Sequence, residues 1–180
     1  MKRVPILFAV MAMVLVLFSA CLTDEEEPAG TGDVVRVGDL LPDFTAVLAG
    51  GREVSPASLA GRPAVVVLFH TGCADCRREL PKLQALYAAY GSRVGFVCIS
   101  REEGAESVAA YWQAQGFTLP YCACPDRSLY ALFATHTIPR VYVADQAGRI
   151  RSQYTETVDQ TRLQADLEQL LTSEESHPET

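Results

Sequence analysis

The 180-residue sequence predicts an α/β fold, and three observations carry that reading. Strand and helix signals alternate along the body of the chain. Two strand signals, Ala64-Val-Val-Val-Leu-Phe69 and Val94-Gly-Phe-Val-Cys-Ile-Ser100, are near-continuous apolar runs of the kind buried on both faces in a central sheet. Between them, Arg77 to Tyr90 carries Leu80, Leu83, Leu86, Tyr87 and Tyr90 at helical spacing, with Arg77, Arg78 and Lys82 on the other side.

Taken in order, the chain opens with Lys2 and Arg3, an apolar run from Val4 to Phe18, and Ser19-Ala20-Cys21. The run is too short to span a bilayer as a stable helix, and its charged, apolar and small-residue regions are those of an export signal over residues 1–20. Phe18-Ser-Ala-Cys21 resembles the lipobox of bacterial lipoproteins, which implies acylation of Cys21; Phe18 departs from the aliphatic residue that the family prefers. An ordinary signal peptide and a plain anchor helix are the other readings. Residues 21–35 are acidic, polar and without apolar period, and read as a tether. The acidic run after Cys21 also resembles surface-export signals of some Gram-negative lipoproteins, though such runs commonly serve only as solvated linkers.

Residues 36–172 read as one domain. Val37-Gly-Asp-Leu-Leu-Pro-Asp-Phe44, a strand over Thr45–Leu48, a turn at Gly50-Gly51 and Glu53–Ser55 predict an N-terminal hairpin. The strand 64–69 and the helix to Tyr90 follow, then the strand 94–100, a helix over Ala105–Gln115 and a short strand over Leu119–Cys122. Asp126–Phe133 reads as helical, and Thr135-His-Thr-Ile-Pro139 breaks the chain. Val141–Ala144, a turn at Asp145-Gln-Ala-Gly148 and Ile150–Tyr154 predict an antiparallel hairpin. A last helix is expected from Thr157, with Thr157-x-x-Gln160 as a capping box and Val158, Leu163, Leu167, Leu170 and Leu171 inward. Residues 173–180 read as a disordered tail that contains His177.

The formal charge of −7 belongs to the ends of the chain. Two cations, Lys2 and Arg3, lie in the leader, four acids in Asp24–Glu27 and three in the tail at Glu174, Glu175 and Glu179, which leaves Gly32–Leu171 near −2. A near-neutral body without a basic cluster argues against nucleic acid as a partner.

The chemistry is concentrated in Leu68-Phe-His-Thr-Gly-Cys73-Ala-Asp-Cys76-Arg-Arg-Glu79-Leu-Pro81. Cys73 and Cys76 fall at a strand-to-helix junction, where unpaired backbone N–H groups and the positive end of the helix dipole stabilise a thiolate. In Cys-x-x-Cys motifs such surroundings lower a thiol pKa from about 8.5 to roughly 3.5–7.5. The first cysteine is then an exchange nucleophile and the second resolves the mixed disulfide. A structural zinc site would need four ligands, and Cys122-Ala-Cys124, the other available pair, has a spacing unusual for zinc. An inert structural disulfide is the remaining reading; the buried strand before the motif favours redox chemistry over both.

In this order and spacing, Val37-Gly-x-x-x-Pro-Asp-Phe44, Gly61-Arg-Pro63, the Cys73–Pro81 motif, Ile138-Pro139 and the Asp145-x-x-Gly148 turn identify the domain as similar to the thioredoxin-like family. The resemblance is to the exported, membrane-tethered branch of the TlpA and ResA type. It implies a mixed central sheet flanked by helices, an N-terminal hairpin, and a helix–strand insertion between Ser100 and Asp126. It also implies that Cys73 attacks, that Cys76 resolves, and that the bond before Pro139 is cis, with Ile138 offering its backbone to a substrate chain. Pro81 matches a proline that shapes the first long helix. Glu79 matches a glutamate near the dithiol, and a partly buried carboxylate of raised pKa there would accept the Cys76 proton. Its other reading is a residue suited to the first turn of a helix. Gly72 and Ala74-Asp75 depart from the family's frequent Trp before the first cysteine and Pro within the motif; Val67 stands where plain thioredoxin has a buried Asp. Asp75 reads better as a first-turn residue than as a charge acting on Cys76. His70 and His136 flank the motif and read as satisfied side chains.

The function so implied is thiol–disulfide exchange with protein substrates in the bacterial cell envelope. It needs no cofactor beyond a redox-active Cys73–Cys76 disulfide, and it takes a membrane electron donor or acceptor as its redox partner and a lipid anchor at Cys21. The alternatives are a peroxiredoxin-type thiol peroxidase, which would need Thr or Ser at the position of His70, and a Sco-type copper chaperone, which would need Cys-x-x-x-Cys. Cys98, Cys122 and Cys124 remain. Cys98 reads as a packed thiol, and Cys122 and Cys124 share one face of a strand beside it, which leaves one inter-strand disulfide open.

Overall fold

A computed structural model describes residues 32–175. Residues 1–20, read as an export signal, Cys21, most of the segment 21–35 read as a tether, and His177 lie outside the described residues. The element order is β1 (Ala46–Val47), β2 (Glu53–Val54), α1 (Pro56–Leu59), β3 (Ala64–Phe69), α2 (Ala74–Tyr90), β4 (Gly95–Ser100), α3 (Ala105–Gln115), β5 (Tyr121–Cys122), α4 (Ser128–Ala131), β6 (Arg140–Ala144), β7 (Ile150–Thr155) and α5 (Gln160–Glu175).

Five strands form one sheet in the order β5-β4-β3-β6-β7. β3 pairs parallel with β4, and β4 with β5, while β6 runs antiparallel to both β3 and β7. This is the mixed sheet of the thioredoxin-like arrangement. All six residues of β3 and of β4 are buried, as their continuous apolar character requires. The β3–β4 register aligns Phe69 with Ser100, so both strands end at one edge of the sheet.

The β1–β2 hairpin turns through Gly50 and Gly51, at φ +98° and +86°, and hangs on the sheet by the Ala49 amide donating to the Tyr121 carbonyl at 2.9 Å. The insertion packs on an aromatic cluster. Trp112 is buried against Phe69 and Tyr121, each with ring centroids 4.8 Å away, and its indole N–H donates to the Leu119 carbonyl at 2.9 Å.

Four local expectations differ. Helix α1 was not legible; Ser55 and Ser58 cap one another and Pro56 starts the turn, a signal of only one turn's length. Helix α5 starts at Gln160 instead of Thr157, because Asp159 caps it by accepting from the Arg162 amide at 3.0 Å. Helix α4 spans only Ser128–Ala131, since the Asp126 side chain turns the chain by accepting from the Ser128 amide at 2.8 Å. Helix α5 also runs on to Glu175, three residues into the segment 173–180 that reads as a disordered tail. Of the inter-strand pairing left open, Cys98, Cys122 and Cys124 are free and buried. The register places Ile99, not Cys98, opposite Cys122, so Cys98 and Cys122 face opposite sides of the sheet.

Candidate active site

Strand β3 delivers the chain to the sheet edge at Phe69, and helix α2 starts at Ala74. The segment between is a tight turn in which the Cys73 amide donates to the His70 carbonyl at 3.1 Å. Cys73 is the N-cap, with extended backbone (φ −82°, ψ 124°), and its sulfur accepts from the Cys76 amide at 3.4 Å. A capping sulfur of this kind lies among the free N–H groups of the first turn. Cys73 is half-buried, whereas Cys76 is fully buried. Burial, reinforced by the neighbouring Cys73, pushes the Cys76 thiol far above its ordinary value, against a smaller opposing pull from the His70 backbone.

The loop before β6 completes the site. The Ile138–Pro139 peptide bond is cis, as the resemblance implies, and the Ile138 carbonyl lies 3.8 Å from Cys73 Sγ. The sequence thus brings Cys73, Cys76, Ile138 and Pro139 together from two separate segments.

Glu79 is where it was expected and behaves otherwise. It is completely buried, but Lys82 Nζ at 2.6 Å, Arg78 Nε at 3.0 Å and the Val158 amide at 3.2 Å all donate to its carboxylate. Burial pulls its pKa upward, yet these donors outweigh burial and hold it below the ordinary 4.5. The expectation of a raised pKa is therefore corrected: Glu79 is a standing anion that ties α2 to the segment before α5. Asp75 pairs with Arg78 at 2.8 Å on the surface, in keeping with a first-turn role.

Sequence reading missed a second buried carboxylate. Glu103 accepts from the Thr71 amide at 2.9 Å, from the Thr71 hydroxyl, and from Ser107 Oγ at 2.8 Å. Burial raises its pKa, but the Thr71 and Ser107 donors prevail and lower it. His70 Nδ1 accepts from the Gly72 amide at 2.9 Å and lies 3.9 Å from Glu103. A side chain on Gly72 would crowd this ring, since a Cβ there would sit 3.2 Å from it. Glu103 thus pins the turn that presents Cys73. The available signal was topological: Glu103 follows β4 at the same sheet edge at which β3 ends.

His136 is exposed, with Nδ1 3.1 Å from Thr135 Oγ1. Among the described residues, no group of three or more His, Cys, Asp or Glu side chains is placed to hold a metal ion. Nor is any helix among them long and apolar enough to cross a membrane.

The chain is similar to the thioredoxin-like protein YneN of Bacillus subtilis, 22% identical over 137 residues that cover 74% of this chain and 80% of the relative. It is 23% identical to the thiol-disulfide oxidoreductase ResA of Geobacillus thermodenitrificans, over 76% of this chain and 79% of the relative. Among solved structures, a putative protein disulfide isomerase from Bacteroides thetaiotaomicron superposes with TM-score 0.75 at 25% identity, covering 81% of this chain and 96% of the other. A model of the Redoxin family matches residues 36–171, from before the hairpin to the end of the last buried turn of α5, and the chain belongs to that family.

Proposed function

We propose that this protein, a thiol–disulfide oxidoreductase, exchanges disulfides with protein substrates outside the cytoplasm through Cys73 and Cys76. The observation that carries the reading is the contrast between two sulfurs on one helical turn: Cys73 is accessible, caps α2 and lies beside the Ile138 carbonyl, while Cys76 is sealed behind it. In the reducing direction the Cys73 thiolate attacks a substrate disulfide, forms a mixed disulfide and releases one substrate thiol. Cys76 then loses its proton and attacks Cys73 Sγ, freeing the second thiol and leaving a Cys73–Cys76 disulfide; two electrons pass to the substrate. The reverse sequence oxidises a substrate dithiol. Ile138 and Pro139 offer backbone to the substrate chain. The export-type charge and apolar pattern of residues 1–20 supports an envelope location facing away from the cytoplasm, with Cys21 as the lipid site and a membrane donor or acceptor that resets the dithiol.

Insulin reduction by the purified protein tests the reading. Cys73→Ser abolishes turnover, and Cys76→Ser accumulates mixed disulfides visible on non-reducing gels. Full activity in Cys73→Ser overturns the assignment. Peroxide consumption without insulin turnover would indicate a thiol peroxidase instead, and stoichiometric copper uptake a chaperone. The dithiol's reduction potential assigns the direction of flow.

A further inference from the structure

The N-terminal residues that lead out of the tether run along the active-site loop. The Val34 amide donates to the Phe133 carbonyl at 2.9 Å, the Thr135 amide donates to the Gly32 carbonyl at 2.7 Å, and Asp33 bridges Ala134 in antiparallel fashion. Gly32 sits at φ +72°, and a Cβ there would come within 2.5 Å of the His136 ring, so glycine is required for this approach. The carboxylate of Asp33 then forms an ion pair with Arg140 and accepts from Gln153 Nε2 at 2.6 Å.

Arg140 directly follows the cis proline and is fully buried. Its Nε donates to the carbonyls of His136 at 3.2 Å and Thr137 at 3.1 Å, and its Nη2 to that of His136 at 3.0 Å. Thr137, at φ +69°, precedes Ile138, whose carbonyl faces Cys73 Sγ. A guanidinium in the core is tolerated when it is paired and its N–H groups are satisfied, and losing the partner leaves an uncompensated buried charge. Asp33, Arg140, the two carbonyls and Ile138 thus form a continuous chain of contacts from the first described residues to the attacking sulfur.

We propose that Asp33 is a positioning residue for disulfide exchange: by orienting Arg140 it holds the His136 and Thr137 carbonyls, and with them the Ile138 backbone that meets the substrate chain beside Cys73. This inference rests on the exchange reading above. It adds a residue that lies before Arg36, outside the family match. A peptide substrate, which pairs with the Ile138 backbone, depends on this chain of contacts more than a small disulfide, which has no backbone to pair.

The experiment compares kcat/KM for a disulfide-bonded peptide with that for hydroxyethyl disulfide, in wild type and in Asp33→Asn. The expected result is a fall in the peptide-to-small-disulfide ratio of about tenfold, the scale of a lost charge-assisted contact and a slight misplacement. An equal ratio in folded Asp33→Asn overturns the proposal, since a loss of stability alone lowers both substrates together. If Asp33→Asn does not fold, Asp33→Asn/Arg140→Met removes the buried charge along with its partner; the lower ratio is again expected there, and a wild-type ratio overturns the proposal. A wild type inert toward both disulfides refutes the exchange reading itself, whereas an active wild type with an unaffected variant refutes only the role of Asp33.

Discussion

Two sulfurs three positions apart meet opposite surroundings, and the difference is chemical as well as steric. Cys73 can be reached, while Cys76 is fully buried with its thiol held protonated by burial. Iodoacetamide at neutral pH should therefore label Cys73 in the folded, reduced protein and reach Cys76 only after unfolding. Peptide mapping by mass spectrometry checks this, and equal labelling of both would mean that the resolving thiol is not sealed. The pair was legible in the sequence because a Cys-x-x-Cys after an apolar run defines a strand-to-helix junction within a few residues. The state of Glu79 was not, because one of its donors, the Val158 amide, lies 79 positions away and only folding brings it there. Glu103 was missed for the same reason: its partner Thr71 is 32 positions distant.

At the scale of elements, the first half of α2 is held at two points by polar contacts that its apolar stripe does not announce. Its start is pinned through Thr71 to Glu103, and its second turn is clamped to the α5 approach through Glu79 and Lys82, which also donates to the Val158 carbonyl at 3.3 Å. Because Glu79 is held below the ordinary carboxylate value and is an anion in the neutral range, Glu79→Gln is expected to cost about 1.5–3 kcal/mol of stability, the scale of hydrogen bonds to a charged group. The variant should leave the pH dependence of mixed-disulfide resolution in place across about pH 6–9. Denaturant melts and stopped-flow exchange separate the two effects; a shifted pH profile at unchanged stability would restore Glu79 as the proton acceptor. Strands β3 and β4 were readable as continuous apolar runs, because every residue of each is buried, and helix α2 from the spacing of Leu80, Leu83, Leu86 and Tyr90 along its buried face. The one-turn α1 and the start of α5 were not, since caps made by Ser55 and Asp159 decide them and several residues nearby have equal capping chemistry.

For the molecule as a whole, buried ionisable groups set two limits on stability. Glu79 and Glu103 are held below 4.5, and Asp145, which burial raises but Arg149 and Arg151 outweigh, below 3.8. The unfolded chain takes up these protons first as pH falls, so the stabilisation is present above those ordinary values and is lost as pH drops through the lower folded ones. Cys76 and Cys98 shift the other way, above the ordinary 9.0. As pH rises past 9, the unfolded chain releases these protons while the fold retains them, and stability falls again. Urea midpoints measured across pH for the reduced protein should form a plateau with a decline on each side; a midpoint unchanged well below pH 4 would contradict the carboxylate assignments.

The packing of Trp112 has an optical consequence. The chain contains one tryptophan, shielded from water and packed at a tilt against Phe69, the residue at which β3 hands over to the turn bearing Cys73. Its fluorescence therefore arises from a single indole in a single environment, close in the fold to the dithiol. Any displacement of the end of β3 that accompanies reduction or oxidation would register as a change in its emission, so the protein can be followed through its redox cycle without a label.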